Sequence, residues 1–295
     1  MKKHLPISGV ITALITPFDS GNRPSLKALK SIVSFQLEKG IHGVFPLGTT
    51  GMGLLMNPRE RMEVAEAVIA ETAGKVPVIV HTGAMDTATT VELSRHAEKA
   101  GADAISCIAP FFFRSDDATI VRHFEQVSKA VTIPVFAYNN PKASGVNISL
   151  PALQKLSGSG TIYGLKDSSR DFLRLVECVE KLPDDFVVLN GTENYALPSL
   201  VMGVRGMISA VANIIPEYMI ELYDSYKSGD FKRAIKSQRR VNEVKRLTEE
   251  YGLGALFTIL QERGVECGAP RAPVLQLGRQ ECRAVLNAWK KLAPE

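Results

Sequence analysis

Short apolar runs alternate with longer amphipathic segments along this chain, and the alternation occurs eight times. The runs consist mostly of Val, Ile, Phe, Leu and Ala, without a polar residue at every second position. Parallel strands that are buried on both faces have this pattern. The predicted strands are Val10–Ile15, Gly43–Leu47, Pro77–His81, Ala104–Ala109, Ile133–Tyr138, Ile162–Lys166, Phe186–Asn190 and Gly206–Val211.

The segments between these strands have apolar residues at the three- to four-residue spacing of an amphipathic helix. In Ser25–Lys39, for example, leucine, isoleucine and valine side chains fall on one stripe. Glycines stand just past three of the segments, at positions 40, 74 and 101, where the left-handed end of a helix favours glycine. The other predicted helices between strands are Arg59–Ala73, Thr87–Ala100, Asp116–Ala130 and Ser169–Leu182.

Successive strands end at intervals close to the roughly 30 residues of a βαβ unit. Eight such units in series favour a closed (β/α)₈ TIM barrel over an open doubly wound sheet, which usually has fewer strands. The open sheet often carries a glycine-rich dinucleotide turn as well, and the sequence contains no GxGxxG. We therefore predict an α/β fold with a catalytic (β/α)₈ barrel over residues 1–228.

Beyond about residue 213 the pattern contains helical segments with no strand between them. The first, Ile214–Lys227, is the predicted eighth helix of the barrel. The basic stretch Lys232–Arg246 follows it, and we interpret it as a solvated helix face or a subunit contact. Residues 229–295 form a predicted C-terminal helical extension that packs on the barrel, with the helices Phe231–Glu250, Leu253–Arg263 and Arg279–Leu292.

Composition narrows the possible functions. The 295 residues are 45% hydrophobic and 22% charged, and the formal charge of +4 is too weak to indicate a nucleic-acid partner. The four cysteines are scattered, so we expect reduced thiols rather than a disulfide framework or a metal site. The apolar run Val10–Ile15 is too short for a signal peptide or a membrane span. We expect a soluble, cytoplasmic protein.

Reactive side chains stand where three of the predicted strands end, and in a TIM barrel chemistry takes place at the C-terminal strand ends. Lys166 ends the sixth strand, where a partly desolvated amine has a lowered pKa and can attack a ketone. Tyr138 ends the fifth strand, and its phenol can move protons. The turn Gly48–Gly51 follows the second strand and offers backbone N–H groups and the hydroxyls of Thr49 and Thr50 to an anion.

Each of these residues, taken alone, also has an ordinary structural role. A lysine often begins an exposed loop, a tyrosine packs its ring in the core, and a threonine caps a helix. The segments Thr16–Asp19 and Gly191–Asn194 follow two other strands; the second could contact sugar hydroxyls, although Asp and Asn are more often helix caps there. The combination is more informative, because an amine, a phenol and an anion-binding turn are expected on one face of the barrel.

Together these residues resemble the dihydrodipicolinate synthase/N-acetylneuraminate lyase superfamily, the pyruvate-dependent class I aldolases. The resemblance covers essentially the whole chain, and its motifs occur in the family's order and at its spacing. The motifs are Thr12-Ala13 with Pro17-Phe18, Gly48–Gly51, Tyr138-Asn139-x-Pro141 and Gly164-Leu165-Lys166-Asp167.

The resemblance implies a mechanism. Lys166 forms a Schiff base with the keto group of pyruvate or another 2-keto acid, and Tyr138 relays protons. Thr49 and Thr50 hold the carboxylate, and Thr50 takes part in the proton relay. The imine is the electron sink, so the resemblance implies neither a metal nor an organic cofactor. It also implies a homotetramer, a dimer of dimers. The further substrate-binding residues that it implies are Ala13, Gly191 and Ile208.

Among the possible substrates, the residues favour a 2-keto-3-deoxy sugar acid. Dihydrodipicolinate synthases typically have an arginine where Ala143 stands and a tyrosine in the run Phe111–Phe113, and this chain has neither. The segments Ala143–Gly145 and Pro270–Pro273 are similar to archaeal 2-keto-3-deoxygluconate aldolases, although those often have tyrosine in place of Asn140. Possible contacts to the distal part of the substrate are Asn140, Ala143, Glu193 and Arg114.

Two alternatives stay open. One is a 4-hydroxy-tetrahydrodipicolinate synthase with an altered aldehyde site, which would condense pyruvate with aspartate semialdehyde. The other is a barrel that binds a keto acid without turnover, which would account for the missing second tyrosine but not for Lys166 and Tyr138. Pyruvate binding that survives Lys166→Ala would indicate the binding protein, and its loss together with turnover would indicate the enzyme.

Overall fold

A barrel of eight parallel strands is the centre of the computed structural model, which describes residues 7–113 and 115–294. In the order β2-β1-β8-β7-β6-β5-β4-β3 all neighbouring strands are parallel. A parallel bridge between Val44 and Val78 connects the two ends of this order and completes the ring. The strands are β1 Gly9–Ala13, β2 Gly43–Phe45, β3 Ile79–His81, β4 Ala104–Ile108, β5 Val135–Asn139, β6 Gly164–Asp167, β7 Val187–Asn190 and β8 Gly206–Ser209. The predicted TIM-barrel class is confirmed.

Helices between the strands form the outer layer. Several begin at a polar side chain that accepts a hydrogen bond from the backbone N–H three residues further on, as Ser25, Asn57, Asp86 and Asp116 do. This cap satisfies one of the N–H groups that have no partner in the first helical turn. The helices are α1 Leu26–Glu38, α2 Pro58–Thr72, α3 Thr87–Ala100, α4 Asp117–Lys129, α5 Pro141–Ser144, α6 Leu150–Gly158, α7 Phe172–Lys181, α8 Ala196–Val201, α9 Pro216–Lys227, α10 Phe231–Tyr251, α11 Leu253–Glu262 and α12 Arg279–Trp289.

Some predicted boundaries differ from the observed ones for local reasons. The predicted third and fifth strands begin two residues too early, because Pro77 and Pro134 lie there and proline has no N–H for the strand ladder. The predicted helix at Ser169 begins only at α7, because the Asp171 side chain accepts a hydrogen bond from the Arg174 N–H and so caps the helix later. Helices α5, α6 and α8 were not predicted; they are four to nine residues long, too short for a clear apolar stripe.

The interior of the barrel is filled by side chains rather than open. Apolar residues that point inward from the strands form a separate buried cluster, as the packed interior of a TIM barrel does. A larger apolar cluster lies between the strands and the surrounding helices. Towards the C-terminal strand ends the inward side chains become polar, and Lys166 of β6 is one of them. The inward cluster includes Ile11, Phe45, Ile79, Phe136, Leu189 and Ile208.

The C-terminal helices pack on the barrel. Helix α10 lies against α9 and α8, and α11 follows it after Gly252. The loop after α11 returns to the segment that follows β1, where Ala269 pairs with Phe18 in an antiparallel bridge. Arg271 fixes this loop by an ion pair with Glu60 at 2.6 Å. The domain boundary at residues 228 and 229 stays a prediction. Within the described ranges no helix is both long and apolar enough to span a membrane.

Candidate active site

Lys166 is a buried amine between two aromatic rings. It lies in β6, its side chain points into the barrel mouth, and only 4% of the residue is exposed. The Nζ atom lies 4.0 Å from the ring centre of Phe45 and 4.1 Å from that of Tyr138. Burial lowers the pKa of Lys166, and the nearby Tyr138 and Glu193 only partly oppose this. Burial therefore makes the neutral amine, which is the nucleophilic form, easier to reach than it is for an exposed lysine.

Tyr138 lies directly beside Lys166, because the two residues are register partners on β5 and β6. Its hydroxyl is 3.3 Å from Thr49 Oγ1, and Asn140 Nδ2 donates a hydrogen bond to it over 2.9 Å. Burial alone would raise the pKa of this phenol. The charge of Lys166 and the hydrogen bonds of the phenol outweigh burial and lower it. A phenol of lowered pKa beside an amine is suited to moving protons.

The turn after β2 positions the hydroxyl of Thr49 against Tyr138. Leu47 adopts a left-handed backbone conformation with φ of 67°. The chain then folds back so closely that a Cβ on Gly53 would lie 1.8 Å from the Leu47 carbonyl oxygen. Glycine is required there, because no side chain fits. The turn therefore holds Thr49 and Thr50 at the barrel mouth.

The amine, the phenol and the turn all line one cavity of about 390 Å³ at the C-terminal strand ends. Most of the residues expected from the sequence meet there. Arg114 lies outside the described residues. The expected residues that line the cavity are Lys166, Tyr138, Thr49, Thr50, Ala13, Gly191, Ile208, Asn140, Ala143 and Glu193.

Glu193 lines this cavity, but its carboxylate is already engaged by the protein. It is 3% exposed, and Oε1 accepts hydrogen bonds from the Ser209 hydroxyl at 3.1 Å and the Ala210 N–H at 2.8 Å. Its Oε2 atom lies 3.0 Å from Lys245 Nζ. Burial would raise the pKa of Glu193, but the charge of Lys245 outweighs it and keeps the carboxylate ionised. Glu193 therefore holds Lys245 at the cavity wall.

Lys245 is a cavity residue that sequence reasoning assigned to a solvated face. Its side chain is 15% exposed, and it reaches the barrel mouth from α10. The signal was present, because Lys245 follows the buried Val241 by four residues and so lies on the same helix face. Further cavity residues that were not predicted as site residues are Lys142, Ser168, Arg170, Thr192 and Ala210.

The sequence matches the Dihydrodipicolinate synthetase family over residues 6–292. It is 40% identical over 295 residues to the 4-hydroxy-tetrahydrodipicolinate synthase of Methanopyrus kandleri, covering 98% of each chain. The structure is similar to dihydrodipicolinate synthase DapA-2 from Bacillus anthracis, with a TM-score of 0.94, 27% identity and coverage of 99% and 100%. It is also similar to YagE, a prophage protein of this family from E. coli K12 in complex with pyruvate, with a TM-score of 0.93, 25% identity and coverage of 97% and 98%.

The fold and the family match define a class of enzyme, the Schiff-base lyases built on a (β/α)₈ barrel. The chain belongs to the dihydrodipicolinate synthetase family and is a pyruvate-dependent lyase. Among residues 7–113 and 115–294, no three His, Cys, Asp or Glu side chains converge as metal ligands would.

Proposed function

We propose that this lyase makes and cleaves 2-keto-3-deoxy sugar acids, with Lys166 as the Schiff-base residue. One observation carries the proposal. The buried Lys166 amine lines a cavity that also contains several hydrogen-bonding groups, namely Asn140, Ser168 and the Glu193–Lys245 pair. A buried amine suits a keto acid, and the hydrogen-bonding groups around it suit the hydroxyls of a sugar chain.

In the cleavage direction, the Lys166 amine attacks the C2 keto group, and loss of water gives the imine. Tyr138 takes the proton of the C4 hydroxyl, with Thr49 hydrogen-bonded to the phenol. The C3–C4 bond then breaks, its electron pair passes into the imine as an enamine, and the aldehyde leaves. Protonation of the enamine and addition of water release pyruvate and restore the amine.

The residues around Ala143 argue against the competing activity. Ala143 lines the cavity and has no charge for the carboxylate of aspartate semialdehyde. Phe111, Phe112 and Phe113 have no hydroxyl, so none can relay a proton. A specific observation favours the competitor nevertheless: the Methanopyrus kandleri relative, 40% identical over the whole chain, carries the name 4-hydroxy-tetrahydrodipicolinate synthase. Aspartate semialdehyde therefore belongs among the aldehydes to be tested.

Borohydride reduction in the presence of pyruvate, followed by peptide mass mapping, tests the nucleophile. We expect a pyruvate adduct on Lys166, and its loss in Lys166→Ala together with a loss of turnover on the order of 10⁴-fold or more. Lys142→Met is the matched control, because Lys142 lines the same cavity at its exposed rim. A folded wild-type protein without an adduct would contradict the mechanism and favour the non-catalytic binding barrel.

A panel of aldehydes then tests the substrate class. Glyceraldehyde and longer sugar aldehydes are expected to condense with pyruvate at a higher kcat/KM than aspartate semialdehyde does. The reverse order would establish the synthase activity instead. The homotetramer and the cytoplasmic location stay predictions; the mass of the assembly in solution checks the first.

A further inference from the structure

A second cavity of about 290 Å³ lies beside the first one. Thr49 and Ala143 line both cavities, so the two cavities are adjacent, and Thr49 Oγ1 lies 3.3 Å from the Tyr138 hydroxyl. Among the described residues, no Asp, Glu, Lys or Arg side chain lines the second cavity. We call it the apolar cavity. Its main side-chain walls are Met52, Leu54, Phe111, Ile108, Leu253 and Val274.

Several separate parts of the chain build the apolar cavity. Met52 and Leu54 follow β2, Phe111 follows β4, and Val274 comes from the loop of the C-terminal extension. Its polar lining consists of Thr49 at the junction, Ser144 and the ring of His81, together with backbone groups.

The wall contributed by the extension is held in place independently of any ligand. Arg271, three residues before Val274, forms an ion pair with Glu60 at 2.6 Å. Its guanidinium group also lies 4.2 Å from the ring centre of Phe18, and its Nη1 donates to the Leu55 carbonyl over 2.9 Å. A wall fixed in this way costs a ligand little ordering entropy, so the apolar cavity is largely preformed.

The size and the lining of the apolar cavity select one chemical class of ligand. A cavity of about 150 Å³ lined by Leu, Ile and Phe holds a benzene molecule, and this one is larger. An alkyl or phenyl group therefore fits, and its transfer from water into these apolar surroundings is favourable. A carboxylate, a phosphate or a chain of hydroxyls would lose its hydration and find few partners there.

We propose that the apolar cavity binds the substituent of an apolar aldehyde, aliphatic or aromatic, and that the enzyme joins this aldehyde to pyruvate. The aldehyde carbonyl then lies at the junction beside Thr49 and Tyr138, and its substituent extends towards Phe111 and Val274. This activity rests on the Schiff-base chemistry proposed for Lys166, and it adds a second class of aldehyde to the polar one.

The reaction balances without a further reagent. Lys166 and pyruvate form the imine with loss of water, and loss of a C3 proton gives the enamine. The C3 carbon of the enamine forms a bond to the aldehyde carbon, and the oxygen that becomes a hydroxyl takes its proton from Tyr138. Water then adds to the imine, which restores the amine. The product is a 4-hydroxy-2-keto acid that contains all atoms of pyruvate and of the aldehyde.

The test compares benzaldehyde with glyceraldehyde as partners of pyruvate, in the wild type and in two variants. Val274→Phe fills the apolar cavity, whereas Leu275→Phe is the matched control at the next residue, which is 81% exposed and does not line the cavity. We expect wild type to condense both aldehydes. Val274→Phe should lower kcat/KM for benzaldehyde by about tenfold or more, because the larger side chain occupies the space that the phenyl group of the substrate needs. Leu275→Phe should change it less than about twofold.

The outcomes separate this inference from the proposed function. If borohydride traps no pyruvate on Lys166, both fail. If pyruvate is trapped and glyceraldehyde condenses but benzaldehyde does not, the inference alone is overturned. Equal losses for both aldehydes in Val274→Phe would also overturn it, because the apolar cavity would then not be selective. Leu54→Asn is the second variant, at a half-exposed wall residue where a polar side chain leaves the fold intact, and we expect the same selective loss for benzaldehyde.

Discussion

The cavity that contains Lys166, which we call the polar cavity, and the apolar cavity share Thr49 and Ala143 but differ in charge. Within residues 7–113 and 115–294, only the polar cavity is lined by Lys, Arg and Glu side chains. The polar cavity contains Lys166 and the Glu193–Lys245 pair and is lined mostly by the ends of β5 to β8. The apolar cavity is lined by residues that follow β2 and β4 and by the C-terminal loop. This difference is the basis of our proposal that one nucleophile serves two kinds of aldehyde.

This contrast indicates which parts of the barrel would determine its specificity for the aldehyde. In the proposed mechanism the imine and the proton relay depend on residues within the strands or directly after them. The proposed aldehyde sites depend on loops and on the extension, which contribute Phe111 and Val274 to one cavity and Lys245 to the other. Loops tolerate substitution more readily than strands do, so the aldehyde can change while the chemistry stays.

The largest effect should come from a change at the junction, because it affects both cavities. Tyr138→Phe removes the phenol that bonds Thr49 and Asn140 but keeps the ring beside Lys166. We expect kcat to fall by about 10²–10⁴-fold with glyceraldehyde and with benzaldehyde alike, the range for loss of a general acid–base group.

The control for this variant is Tyr163→Phe, at a tyrosine before β6 that is 46% exposed. It should leave kcat unchanged. Steady-state kinetics with both aldehydes and borohydride trapping with pyruvate make the measurement. A tenfold or larger difference between the two aldehydes in Tyr138→Phe would show that the cavities do not share one proton relay.

A smaller and selective effect on aldehyde binding is expected from Glu193→Gln, because Glu193 lines the polar cavity and not the apolar one. Removing the carboxylate leaves the Lys245 ammonium, only 15% exposed, without its counter-charge. Breaking one partner of such a pair costs about 3 kcal/mol of stability, so the free energy of unfolding should fall by this order. The KM for glyceraldehyde should rise about tenfold, whereas that for benzaldehyde should stay within about twofold.

Glu249→Gln is the matched control for this prediction. Glu249 also pairs with a cation of the polar cavity, Arg170, at 2.9 Å, but at the exposed rim. An exposed pair contributes little to stability, so urea unfolding should detect only a small change. If Glu193→Gln raises the KM for both aldehydes equally, the two cavities are not separate binding sites.

Much of the fold could be predicted from the sequence, because buried parallel strands leave continuous apolar runs. All eight strands were placed, since runs such as Phe186–Asn190 have no other simple interpretation in series. The short helices α5, α6 and α8 were not predicted, because an apolar periodicity is recognisable only over more turns than they contain. Lys166 and Tyr138 were also placed, because strand ends in a barrel all point to one face.

The rest of the site depends on contacts between distant parts of the chain, which a sequence pattern does not contain. Lys245 was assigned to a solvated face of a basic helix. It instead reaches the barrel mouth, because its ammonium forms an ion pair with Glu193, which lies 52 positions earlier in the chain (245 − 193). The apolar cavity was missed entirely. Phe111 indicated a less polar site, but its partner Val274 comes from the extension, and no local pattern brings the two together.

The smallest expected effect concerns His81, the one ionisable side chain among the described residues that line the apolar cavity. Burial keeps its pKa well below 6.5, and the charges of Arg61 and Lys166 add to this. Below pH 6.5 the unfolded chain therefore takes up a proton on this imidazole that the folded protein does not. The free energy of unfolding should fall as the pH decreases, by up to about 1.4 kcal/mol per pH unit for this group.

His81→Gln should remove this part of the pH dependence, measured by urea unfolding between pH 7 and pH 5. His123→Gln is the comparison, because burial lowers the pKa of His123 to about 4 against the opposing charge of Asp86. Over the range from pH 7 to pH 5, His123→Gln should therefore reduce the slope in the same direction as His81→Gln does. A His81→Gln protein that keeps the full slope would mean that the imidazole is protonated in the folded state. The apolar cavity would then contain a charge, and its difference from the polar cavity would disappear below pH 6.5.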